Sequence, residues 1–154
     1  MKVFPDLVPL ASDTVADHRF ALPQGLVGFK DYTRGELHYT PDQLPFLWLR
    51  LHGLGDPVHF IVIEPGGLVP DYELEIFDED AASLELRDPG DALVLNIVNL
   101  RQQQPVEATV NLIGPIVVNR RTHVGRQLVI ANYSRYSAHH LLVDRSAAAL
   151  SITA

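Results

Sequence analysis

A chain of 154 residues, 47% hydrophobic and 20% charged, is long enough for one domain with a real core and short for two. It has no cysteine, which excludes a disulfide scaffold, thiolate zinc sites and a cysteine nucleophile. The net charge of −7 argues against direct binding of nucleic acid, which needs a basic face.

Eleven prolines punctuate short apolar runs, a pattern that suits many short strands and excludes long helices. The opening Met1–Pro5 has no basic region before a long apolar run, so no signal peptide is read. No apolar run reaches bilayer length, so membrane association is not expected. A soluble cytoplasmic protein is the expectation.

Thr14–Phe20 reads as a strand. Leu22–Phe29 follows as a shaped loop, in which Gly25 and Gly28 supply positive φ and Leu26 and Phe29 plug the core. Glu36–Tyr39 is a short strand. Phe46–Leu51 is a stronger one, with Leu47, Leu49 and Leu51 on one face and Phe46, Trp48 and Arg50 on the other. Gly53–Pro57 is a turn. His59–Glu64 is a near-continuous apolar run, as in a strand covered on both sides.

Val69–Asp91 holds nine carboxylates against Arg87 alone, a net of −8, so the rest of the chain is close to neutral. Within it, Tyr72, Leu74 and Ile76 alternate with Glu73 and Glu75. That is the period of a strand with one buried face. Asp78–Leu86 reads as a short helix, with Asp78 as N-cap and further acids in the first turn, where the helix dipole favours them. This charge is either a solvated face or a docking surface for a basic partner.

Ala92–Leu100, Glu107–Ile113 and Ile116–Asn119 are further strands. Arg120–Gly125 is a hairpin loop and Arg126–Ala131 the returning strand. Asn132–His140 is polar and aromatic and closes as a turn or one helical turn. Asn96, Asn111 and Asn119 sit inside apolar strands and need backbone partners if buried. The fold class is all-β: a single small antiparallel barrel-like domain of seven to nine strands over residues 1–143, with one or two short helical turns. Residues 144–154 form a tail of expected flexibility.

Catalytic signals are weak. His18, His38, His52, His59, His123, His139 and His140 show no ligand-like spacing, and adjacent His139 and His140 diverge on a strand or a helix. There is no G-x-S-x-G elbow, P-loop or G-x-G-x-x-G. No catalytic residue, metal or cofactor is assigned. Arg120, Arg121, Arg126 and Arg135, with His123 among them, form a small basic cluster that is either a solvated hairpin tip or a second contact site. Phe46 and Trp48 are either core or an exposed aromatic contact.

Seven segments then resemble, in order, those of the FliW family of flagellar assembly factors. Leu22-Pro23-x-Gly25-x-x-Gly28-Phe29 resembles F-P-E-G-I-P-G-F, with Gln24 in place of the glutamate. Pro45–Leu49 is similar to P-F-x-W-L. Asp56-Pro57 with Phe60–Pro65 is similar to D-P…F-x-V-x-D/E-P, with a shortened loop at Gly66-Gly67. Pro70–Glu73 matches P-D-Y-E. Asn111–Asn119 resembles N-L-x-A/G-P-I-V-I-N, Gly125–Gln127 matches G-x-Q, and Tyr133–Leu141 resembles the Y-x-x-R/Y-x-x-x-H tail. The Arg120–His123 loop is more basic than the family's usual one.

The resemblance implies a cytoplasmic, non-enzymatic, barrel-like protein, expected to be a monomer. It would bind CsrA, a basic RNA-binding regulator, relieving repression of flagellin synthesis, and would bind flagellin in a partner switch. Asp71, Glu73, Glu75, Asp78, Glu79 and Asp80 are the candidate partner-binding residues, complementary in charge to such a regulator. A metal-dependent small β-barrel enzyme, and a ligand-binding module using Phe46 and Trp48, remain as alternatives.

Overall fold

A computed structural model describes residues 1–7, 18–101 and 107–142. Eleven strands are present among them: β1 (Lys2–Val3), β2 (Arg19–Ala21), β3 (Arg34–His38), β4 (Phe46–His52), β5 (Val58–Ile63), β6 (Leu74–Glu75), β7 (Ala92–Arg101), β8 (Glu107–Val110), β9 (Ile116–Asn119), β10 (Gly125–Gln127) and β11 (His140–Leu142). One helix, α1, spans Asp78–Ser83. The all-β class with short helical turns is as read. Thr14–Asp17 of the expected first strand and the tail 144–154 lie outside the described residues.

Nine strands form one sheet, ordered β10-β9-β7-β5-β4-β3-β2, with β8 branching from β7 and β11 pairing with β8. All named strand pairs are antiparallel. Among the described residues the ends of the path meet at an isolated parallel bridge, Ala21↔Val124. Ala21 N donates to His123 O there at 2.8 Å. The barrel is therefore not closed by a ladder. β1 and β6 pair as a separate two-stranded sheet.

Two apolar clusters explain the sequence pattern. Ala92, Val94 and Val98 of β7 and Val117 of β9 face the cluster that holds Val3, Tyr72, Leu74, Ile76 and Leu84. Leu93, Leu95, Ile116 and Val118 face the cluster of Phe20, Leu22, Leu49 and Leu51. β7 and β9 lie between the two, and so read as unbroken apolar runs. β5 was expected to be covered on both sides, but only Val62 and Ile63 are buried and His59 is exposed. Gly25 (φ +62°) and Gly28 (φ +83°) adopt the left-handed conformation expected of them. Leu26 is buried, with half-buried Phe29 packed against the same cluster.

The three strand asparagines find partners. Asn119, fully buried, donates to the carbonyls of Leu84 (2.8 Å) and Glu85 (3.1 Å), and accepts from Arg121 N at 2.8 Å. Asn111 Oδ1 accepts from Ile113 N and Gly114 N. Asn96 donates to Asn111 O (2.9 Å) and Tyr72 Oη (3.3 Å), while its own Oδ1 has no partner among the described residues.

Candidate functional site

The acidic stretch takes its shape from the alternation in its sequence. Tyr72, Leu74 and Ile76 are buried at 2%, 0% and 1% exposure, which turns Glu73 and Glu75 outward. Only Leu74–Glu75 is a regular strand, because β1 covers just that length. The other edge is held largely by side chains. Asn132 accepts from Glu75 N and donates to Glu73 O, and Glu73 N donates to the Tyr136 hydroxyl at 2.9 Å. Asn132 and Tyr136 thus substitute for a missing strand. Single-sequence reading missed both, since nothing local marks a side chain that will bond a segment some sixty positions away.

The helix differs from expectation at both ends. Phe77, not Asp78, is its N-cap, without a side-chain cap bond; Asp78, Glu79 and Asp80 all lie in the first turn. Their charge there is favoured by the helix dipole. The helix stops at Ser83, short of the expected Leu86. Glu85 turns left-handed (φ +55°), with Leu86 N donating to Ala81 O and Glu85 N to Ala82 O. That is a Schellman ending with glutamate where glycine is usual.

Most of the six candidate carboxylates have nearby cations. Glu73 lies 3.6 Å from Lys2 Nζ and 3.8 Å from Arg135 Nη1. Glu75 and Asp78 converge on the amino group of Met1, at 3.5 and 3.7 Å. Asp80 meets Arg126 at 3.3 Å. Asp71, at a left-handed turn, and Glu79 have no ion pair among the described residues. The structure therefore brings Glu75 and Asp78 together, aims Glu73 and Asp80 at cations, and leaves Asp71 and Glu79 open.

The basic cluster supplies much of this counter-charge. Arg135 and Arg126 are paired as above, and Arg121 Nε lies 3.3 Å from Asp91 Oδ1. Asp91 caps its own turn by accepting from Arg87 N and Asp88 N. Those two backbone donors, the Arg87 amide first, hold its carboxyl below the usual range, with Arg121 adding to the effect. Burial pushes the Arg120 guanidinium down and the Glu64 charge opposes that. Arg121, Arg126 and Arg135 are thus paired within the molecule rather than free at a hairpin tip.

Apolar side chains border the same surface. Phe77, Val129 and Tyr133 are 49%, 58% and 54% exposed. Ala131 N donates to Glu75 O at 2.7 Å, so the segment carrying Val129 and Tyr133 runs beside the strand that leads into Phe77. Carboxylates around an apolar centre are the anatomy of a protein-binding patch.

The other candidate sites resolve differently. Phe46 is core at 2% exposure, and half-buried Trp48 donates Nε1–H to Gln43 Oε1, so the two form no joint platform. Among the described residues no three His, Asp or Glu side chains gather as a metal site. No helix among them is long and apolar enough to cross a membrane.

Fold and surface together define a small open-sheet β protein that carries exposed Phe77, Val129 and Tyr133 on segments beside its acidic stretch. The chain belongs to the FliW family, whose model, described as FliW protein, matches residues 11–142. A flagellar assembly factor FliW of Natranaerobius thermophilus is 32% identical over 128 residues, covering 83% of each chain. That of Pseudothermotoga lettingae is 33% identical, covering 79% of this chain and 76% of its own. A crystal structure of the flagellar assembly factor FliW superposes with a TM-score of 0.70 at 26% identity, covering 83% of this chain and 87% of the other.

Proposed function

We propose that this protein is a non-enzymatic flagellar assembly factor of the cytoplasm that binds a CsrA-type regulator through the surface of β6 and the start of α1. Binding would relieve repression of flagellin synthesis, and flagellin would compete as the second partner. The observation that carries this reading is the exposed Phe77 side chain beside Asp78 and Glu79. Carboxylates steer a basic partner and fix its register, while a desolvated aromatic supplies most of the affinity. Glu73 and Asp80 already face arginines within the molecule and so contribute less outward attraction.

Calorimetric titration of the host's CsrA-type protein into the purified chain tests this. Phe77→Ala is expected to weaken binding by roughly tenfold or more, as hot-spot aromatics do. Glu79→Lys should weaken it mainly at low salt, because an exposed charge is screened. Flagellin should displace the regulator. Absence of any wild-type complex would remove the reading.

A further inference from the structure

Away from the acidic surface, the chain builds a second charged region that the family reading does not use. Strand register sets Arg19, Glu36, Arg50 and His59 opposite one another across β2, β3, β4 and β5. Arg34 lies opposite His52 in a neighbouring row, and His38 opposite Trp48 in another. Residues directly opposed in antiparallel strands share a face. Among the described residues these rows hold three arginines and three histidines against the single carboxylate of Glu36, on a chain that is anionic overall.

Glu36 is itself quenched. His38 Nε2 and His52 Nε2 lie 3.2 and 3.1 Å from its Oε1. Beside it opens a cleft of about 520 Å³ where β2 and β3 approach the His123 turn. Arg19, Arg34, His52 and His123 line it, with the Phe20 ring and Gly35. Gly35 is required there, because a Cβ would lie 2.6 Å from the Phe20 ring. The Arg34 guanidinium is exposed and makes no hydrogen bond or ion pair among the described residues. An arginine fork at the mouth of an open cleft, beside imidazoles that can donate, suits a carboxylate.

We propose that this cleft, with the cationic face of β3 and β4 beside it, is a docking site for an acidic protein segment, gripped by Arg34. A protein segment fits better than nucleic acid. It can place one or two carboxylates at Arg34 while the rest of its chain remains neutral, whereas a continuous phosphate backbone would meet the repulsion of a chain of charge −7. The histidine caps on Glu36 spread its negative charge and lower the repulsion toward an incoming carboxylate.

Calorimetry and histidine-ring NMR with the full chain, titrated at low salt with a short peptide carrying two glutamates among neutral residues, test this. Saturable binding that shifts the His52 and His123 resonances is expected. Arg34→Glu should weaken it by roughly tenfold, while the same reversal at exposed Arg101, outside the cleft, should change little. Glu36→Gln should tighten it. No binding, equal loss in the two reversals, or weaker binding by Glu36→Gln would overturn the proposal. So would an oligouridylate or inorganic phosphate that competes as well as the peptide.

Discussion

Arg126 on β10 reaches Asp80 in the first turn of α1, with Nη1 3.3 Å from Oδ1. The contact joins two segments far apart in sequence, and Arg135–Glu73 and Arg121–Asp91 do the same. The acidic stretch is thus laid against the arginines of the last third of the chain. Because both side chains of the Asp80–Arg126 pair remain partly solvated, its worth is small: about 0.2–1 kcal/mol is typical. A double-mutant cycle with Asp80→Asn and Arg126→Gln should give a coupling in that range that fades with added salt. A coupling above about 2 kcal/mol, insensitive to salt, would mean the pair is more desolvated than its exposure indicates.

Glu85 sits at the left-handed position that ends α1, where a side chain carries a steric cost. Its carboxylate is exposed and makes no ion pair among the described residues, while its carbonyl is held by Asn119 and Arg121. Glu85→Gly keeps that carbonyl and relieves the strain. The extra chain entropy of glycine in the unfolded state offsets part of the gain. A net stabilisation of about 0.5–1 kcal/mol is expected from urea unfolding. A loss of stability would show that the side chain contributes something its exposure conceals.

The alternation at Tyr72–Ile76 was legible because a two-residue period is a local property: the three apolar residues are buried and the two glutamates are partly exposed. The apolar run of β7 marks a strand, but the two-sided burial read for His59–Glu64 belongs instead to β7. What could not be read was who faces whom. The pairing of Arg126 with Asp80, and the placement of Asn132 against Glu73 and Glu75, arise only when distant segments meet. The helix end was misplaced because glutamate gives no hint of a left-handed residue. Phe77 lies between buried Ile76 and exposed Asp78, and as an aromatic it carries no local sign that it stands on the surface.

Glu36 gives a pH-dependent contribution with a definite sign. Hydrogen bonds from His52 first and His38 second hold its carboxyl below the ordinary value of 4.5. A folded-state value below the unfolded one means the stabilisation is present in full above the ordinary value. It is lost as pH falls from about 4.5 through the lowered folded value. Thermal melts of wild type and Glu36→Gln should differ near neutrality, with wild type the more stable, and converge well below the ordinary glutamate range. A gap that stays constant across that range would show that the carboxylate's charge is not what the two imidazoles stabilise.

Tyr72 and Tyr136 stack edge to face, with centroids 5.0 Å apart, and both hydroxyls bond the backbone, so removing each hydroxyl separates burial from bonding. The Tyr72 hydroxyl donates to the Leu112 carbonyl and accepts from Asn96 Nδ2. Burial pushes its ionisation above the ordinary range, so it stays a neutral donor throughout the physiological range. Tyr72→Phe strips a buried carbonyl of its donor where no water can readily replace it, while Asn96 keeps only its bond to Asn111 O. The expected cost is about 1–3 kcal/mol. Tyr136 is only half-buried; its hydroxyl accepts from Glu73 N at 2.9 Å and lies 3.4 Å from Asp71 O. Water can take over those bonds, so Tyr136→Phe should cost less, on the order of 0.5–1 kcal/mol. Chemical denaturation of the two variants orders them directly. If Tyr136→Phe proved the costlier, the Glu73 backbone rather than the Tyr72 hydroxyl would be what anchors the acidic strand to the sheet.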